Sequence, residues 1–104
     1  MKISSSFLHF DHTPALDEKI HDASAKIAKY FEDKGSVKWF CYVHNNVHFA
    51  EINFVAPHSE YHAKASSDNM YESIDQALMK IKKQAFKRKD KFNKLHRGKK
   101  AIAA

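Results

Sequence analysis

Thiols, turn-forming residues and long apolar runs are all scarce in this chain, and each shortage closes off a class of protein. Cys41 is the only cysteine among 104 residues, so no intramolecular disulfide can form, which suits a reducing cytoplasm. Zinc sites draw on about four converging ligands, often thiolates. The eight histidines, with His44 and His48 around a hairpin turn and His58 and His62 around the start of the next strand, lack any such spacing. They read as surface groups that can add positive charge near about pH 6. No apolar run approaches the length of a membrane span, and the opening "MKISSSFLHF" is too polar for a signal segment. "FDHT" sets Asp11 and His12 beside a helix start, but no activated nucleophile or paired carboxylates accompany them. The expectation is a soluble cytoplasmic protein, not an enzyme, with no metal and no cofactor.

Glycine and proline number two each, so the chain has few interruptions, and each falls where a pattern changes. In "HTPALDEK", Thr13 can cap a helix, Pro14 fits its first position, and Asp17 with Glu18 suits the positive helix end. Leu16, Ile20, Ala23, Ile27 and Phe31 then recur at helical steps, and Gly35 is expected to end the helix. Strand-like alternation follows. Val37, Trp39, Cys41 and Val43 share one face, Asn45–Asn46 suits a tight turn, and Ala50, Ile52 and Phe54 alternate with Glu51 and Asn53. Pro57 breaks that run, after which Tyr61, Ala63 and Ala65 alternate again. "SSDN" supplies capping residues for a second helix, expected from about Met70 to Leu95 with Gly98 beyond it. "KISSSFLHF" reads as a further strand.

The resulting order is β-α-β-β-β-α, an α+β fold with two helices over one face of a four-stranded mixed sheet. The crossover makes the first two strands parallel if they are neighbours, and the others zigzag. At 43% apolar and 12% aromatic residues, one domain with a modest core is expected, spanning residues 1–96, with a short basic tail over 97–104.

Charge is divided along the chain. Residues 1–78 hold seven basic and eleven acidic side chains, whereas residues 79–104 hold eleven basic ones and only Asp90, within a net charge of +6. Such asymmetry points to a polyanionic partner. On a helix, Lys80, Lys83, Lys87, Lys91 and Lys94 share an arc of about 80°. Ile74, Leu78, Ile81, Ala85 and Phe92 fall on a separate face, which leaves a cationic ridge turned from the core. Arg88, Lys89 and Arg97 add charge near the helix end. A solvated tail has no reason to keep this register. A membrane-surface helix would need its apolar face free, and that face is claimed by the sheet. Duplex DNA has no helix-turn-helix or zinc-finger pattern to support it. Structured RNA fits best, because a rigid basic ridge can follow backbone shape without reading bases. Phe40, Tyr42 and Phe49 can lie on the opposite sheet face, but the aromatic signature of base-stacking RNA-recognition motifs is missing. Cys41, in mid-strand, reads as a core residue.

"NMYESIDQALMKIKKQAFKRKDKF", Asn69 to Phe92, resembles the second helix of the bacterial ribosome hibernation-promoting factor and ribosome-associated inhibitor family, also called the sigma-54 modulation family. That family reads D-M-Y-x-A-I-D, then K-L-x-R-Q-L-x-K-x-K-x-K-L. "TPAL", "KIAKYF", "AEINFVAP" and "YHAKA" extend the resemblance upstream, over nearly the whole chain to about Leu95. It implies a fold like that of double-stranded-RNA-binding domains, lodged in the small ribosomal subunit near the decoding centre. It further implies blocking of messenger and transfer RNA, silencing of translation in stationary phase or stress, and modulation of ribosome dimers. By matching position, Lys26, Lys80, Lys83, Lys87, Lys89 and Lys91 would contact ribosomal RNA, with Lys29 a further candidate; Arg88 and Lys94 join them from the charge pattern. Asp17 and Ala23 stand where relatives often carry basic residues. The absence of an acidic C-terminal extension and of a second domain is similar to the short, dimerisation-promoting type, a monomer when free. A general structured-RNA-binding domain or RNA chaperone, without ribosome specificity, is the alternative.

Overall fold

The computed structural model describes residues 1–9 and 11–85. Its order is β1 (Lys2–Leu8), α1 (Pro14–Tyr30), β2 (Ser36–His44), β3 (Val47–Ala56) and β4 (Ser59–Ser67), followed by a helix over residues 70–85, here α2. The sheet order is β1-β2-β3-β4. β1 pairs parallel to β2, and the other neighbours are antiparallel. This is the α+β architecture expected from the sequence. The extension of α2 to Leu95, Gly98, and the division at residues 96 and 97 lie outside the described residues.

Local chemistry explains the element starts. The Thr13 side chain accepts from the Leu16 amide at 3.2 Å, and Pro14 occupies the first turn. Asn69 does the same for α2, its Oδ1 accepting from the Glu72 amide at 2.8 Å. Each oxygen satisfies one of the amides that a helix start leaves unpaired. Asn45 and Asn46 both take positive φ, 50° and 64°. That geometry lets a two-residue turn match the twist of β2 and β3, which pair from His44↔Val47 onward.

The end of α1 differs from expectation. The helix stops at Tyr30, and Glu32 and Asp33 take the left-handed conformation, φ 56° and 60°. The Asp33 amide bonds back to the Ala28 carbonyl at 2.8 Å, so orphan helix carbonyls are satisfied without glycine. Gly35 instead opens β2. Its φ is +105°, and a Cβ there would lie 2.4 Å from the Val55 carbonyl oxygen. Close strand packing, not helix termination, requires this glycine.

The core lies between the helices and one sheet face. Leu16, Ile20, Ala23 and Ile27 of α1 meet Val37, Trp39, Cys41, Ala50, Ile52 and Phe54 of the sheet, and Met70, Ile74, Ala77, Leu78, Ile81 and Ala85 of α2. Period-two and helical spacing therefore converge on one buried layer. Trp39 is fully buried, and its indole N–H donates to Ser24 Oγ at 2.9 Å.

Candidate nucleic-acid interface

The two helices run side by side in the same direction. Lys19 on α1 and Asp75 on α2 form an ion pair at 2.7 Å near their N-terminal halves. Farther along, the helices leave a cleft of about 390 Å3, lined by Lys26, Ile27, Lys29, Tyr30, Phe31, Ile81, Lys82 and Ala85. Three ammonium groups border this cleft, and no carboxylate is among the described residues that line it. The charge pattern is thus graded: paired at one end of the inter-helix seam and, among the described residues that line the cleft, cationic at the other.

Each cation has a structural reason for its place. Lys26 precedes buried Ile27, and Lys29 follows buried Ala28, so both are forced onto the exposed side of α1. Lys29 also lies in the last turn of α1, where a cation complements the helix dipole. Lys82 follows buried Ile81 and flanks the apolar face on the side of α1. Lys83 is exposed and points from the opposite side of α2 to its buried residues. Among the expected contacts, Lys26 and Lys29 therefore come together at the cleft, and Lys83 stands on the outer surface of α2. Lys87, Arg88, Lys89, Lys91 and Lys94 lie outside the described residues.

Lys80 departs from the outward ridge. Its ammonium donates to the Lys64 carbonyl oxygen of β4 at 2.6 Å, and one turn later Gln84 Nε2 donates to the His62 carbonyl at 2.9 Å. Four residues of helix advance about 6 Å, and two residues of strand about 6.8 Å. The two donors are thus spaced to reach successive outward carbonyls of the edge strand. Lys82 and Tyr30 were not singled out from the sequence. The signal for Lys82 is its place at the border of the apolar arc, but which border faces α1 depends on the tertiary arrangement.

The helix-free face of the sheet carries Phe40, Tyr42 and Phe49, as expected. Tyr42 and Phe49, opposite each other on β2 and β3, stack with centroids 4.8 Å apart and planes 11° apart. Lys64 Nζ lies 5.1 Å from the Phe49 ring centre and 5.7 Å from that of Tyr42. Hydrogen bonding to the Tyr42 side chain, foremost, raises Lys64 above the ordinary lysine value. Tyr42 and Phe49 are thus engaged with each other and with a cation, while Phe40 stays exposed with a tilted contact to Tyr42.

No group of metal-ligating side chains occurs among the described residues. Cys41 is fully buried, and desolvation pushes its thiol up to about 12. A nucleophile needs the thiolate, so this cysteine is a core residue. None of the described helices is long and apolar enough to cross a membrane.

A sequence model of the family described as Sigma 54 modulation protein / S30EA ribosomal protein matches residues 3–93. The ribosome hibernation promoting factor of Salmonella typhimurium strain LT2 is 28% identical over 92 residues, covering 88% of this chain and 97% of that protein. Its Escherichia coli K12 counterpart matches with the same identity and coverage. Among solved structures, a ribosomal subunit interface protein from Coxiella burnetii superposes with a TM-score of 0.74 at 25% identity, over 86% of this chain and 99% of that one. The N-terminal domain of Thermus thermophilus Protein Y shares the fold, with a TM-score of 0.75 at 19% identity, over 81% of this chain and 94% of that one.

Proposed function

Because the chain belongs to the Sigma 54 modulation protein / S30EA ribosomal protein family, we propose that it is a ribosome hibernation factor that acts by occupancy. Bound to the small subunit near the decoding centre, it excludes messenger and transfer RNA and inhibits translation in stationary phase or stress. It also promotes ribosome dimers. Lys26, Lys29, Lys82 and Lys83 contact ribosomal RNA, together with Lys87, Arg88, Lys89, Lys91 and Lys94 assigned from the sequence.

The observation that carries this reading is the match to a ribosomal family across residues 3–93. The three lysines that border the inter-helix cleft support it physically, because phosphate contacts by lysine supply affinity while a rigid scaffold fixes register. Cosedimentation with small subunits in sucrose gradients tests it. Binding that messenger and transfer RNA displace is the expected result. Equal binding to arbitrary duplex RNA would favour a general RNA-binding domain instead.

A further inference from the structure

We propose that the outer edge of β1 is an interaction surface for a second copy of this chain. Two β1 strands pair antiparallel about a two-fold axis at Ser5, and the two sheets become continuous. The pairing belongs to the free chain, where the family resemblance implies a monomer, and it stands apart from ribosome binding.

The two edges of the sheet are treated differently. At β4, Gln84 and Lys80 close the outward carbonyls of His62 and Lys64. β1, the other edge, pairs only with β2 among the described residues. The Lys2 amide donates to the Gly35 carbonyl at 3.2 Å. By strand alternation Lys2, Ser4 and Ser6 turn their backbone groups to β2, whereas Ile3 and Ser5 turn theirs outward. Proteins blunt such an edge with proline, a bulge or charges along it. β1 holds no proline, keeps an unbroken register with β2, and has one charged side chain, Lys2, at its very start.

The strand is also complementary to itself, as a two-fold contact requires. With Ser5 on the axis, Ser4 meets Ser6 of the second copy, and Lys2 meets Leu8. Small serines at the centre let the backbones approach, and exposed Leu8 gains the methylene stem of a lysine as cover. Ile3 and Ser5 are only half-buried, whereas their partners Val37 and Trp39 on β2 are buried. An added strand supplies the missing cover, above a groove of about 410 Å3 whose lining includes Met1, Ile3, Ala25 and Ala28. Charge gives the second match. α1 returns between two parallel strands, so it runs opposite to β1, and the two-fold sets the two α1 helices antiparallel. Asp17, Glu18 and Asp22 lie in the first half of α1, and Lys26 and Lys29 in the second. Lys19, the lysine of the first half, is already paired with Asp75. Each acidic half therefore lies along a basic half of the other copy. A foreign peptide of one charge sign would match only one half.

Sedimentation equilibrium of the full chain should show twice the mass of one chain as concentration rises. Ser5→Pro deletes an outward amide and no bond to β2, so association should weaken about tenfold or more, with circular dichroism unchanged. Ser4→Lys with Ser6→Lys sets like charges opposite each other at exposed positions and should separate the copies. Ser4→Lys with Ser6→Glu sets opposite charges in the same places and should keep them together. Disulfide trapping reads the register. Ser4 and Ser6 of the second copy form a non-hydrogen-bonded pair, with Cα atoms about 4.5 Å apart, within reach of a disulfide. Cys41 is buried and does not interfere. A mixture of Ser4→Cys and Ser6→Cys chains should cross-link under mild oxidation, and neither chain should do so alone. A one-chain mass even at millimolar concentration overturns the proposal. A dimer that survives Ser4→Lys with Ser6→Lys overturns it too, as does cross-linking of either cysteine chain by itself, because both place the contact elsewhere.

Discussion

At the residue scale, three buried groups show how narrowly the core is specified. Trp39 has its only polar atom satisfied by Ser24, which is itself fully buried. Ser24→Ala would leave the indole N–H without its acceptor, a loss of about 1–3 kcal/mol. Urea unfolding followed by tryptophan fluorescence reads that loss directly, since the chain has one tryptophan. Ser24→Thr should recover part of it. Cys41 makes a pH prediction. Its thiol is pushed up to about 12 in the folded protein, against an ordinary value of 9.0. The folded pKa is the raised one, so stability is complete below about pH 9 and falls as pH rises toward 12, where the unfolded chain ionises first. By pH 10 this contributes a loss on the order of 1 kcal/mol. Denaturation midpoints of wild type and Cys41→Val should therefore diverge between pH 8 and 10 by about that amount, and parallel curves would refute the account.

At the element scale, the two ends of the sheet explain what the sequence could reveal and what it could not. Along α2, Lys80 and Gln84 close the outward carbonyls of β4, which protects an edge that would otherwise invite strand pairing. Lys80→Met should lower stability by about 0.5–1.5 kcal/mol and expose β4 amides to faster hydrogen exchange. Lys83→Met, with no such bond, should stay within about 0.5 kcal/mol of wild type and weaken RNA binding. Both lysines fall on the same arc of the helical projection, and only the position of β4 beside α2 divides them. Alternation along Val37–Val43 and Ala50–Phe54 was legible because the sheet buries a single face, so period two and burial coincide. The asparagine turn was legible because few residues tolerate two positive φ values in succession. The end of α1 was not, because Glu32 and Asp33 take a conformation for which glycine is the usual signal. The cleft was not legible either. Lys26, Lys29 and Tyr30 lie within one stretch of α1, but Lys82 stands some fifty residues away, and only the side on which α1 packs brings it to them.

At the scale of the whole molecule, the separation of charge becomes a measurable property. Acids outnumber bases in residues 1–78, yet Lys19 is neutralised by Asp75, and no acid is among the described residues that line the cleft with Lys26, Lys29 and Lys82. Each lysine that neutralises a phosphate releases counterions, and log K falls with log salt by about 0.7 to 0.9 per contact. Cations beyond Ala85 also contribute to the total slope, so the informative quantity is its change between variants. The double substitution Lys82→Gln with Lys83→Gln should make the slope shallower by about 1.4 to 1.8. Lys80→Met should leave it unchanged, because that ammonium is committed to the Lys64 carbonyl. Titrations of small subunits at several potassium concentrations measure both slopes. A shift caused by Lys80→Met as large as that of either cleft or ridge lysine would mean that its bond to β4 opens on binding and that the outward ridge, not the cleft, organises the complex.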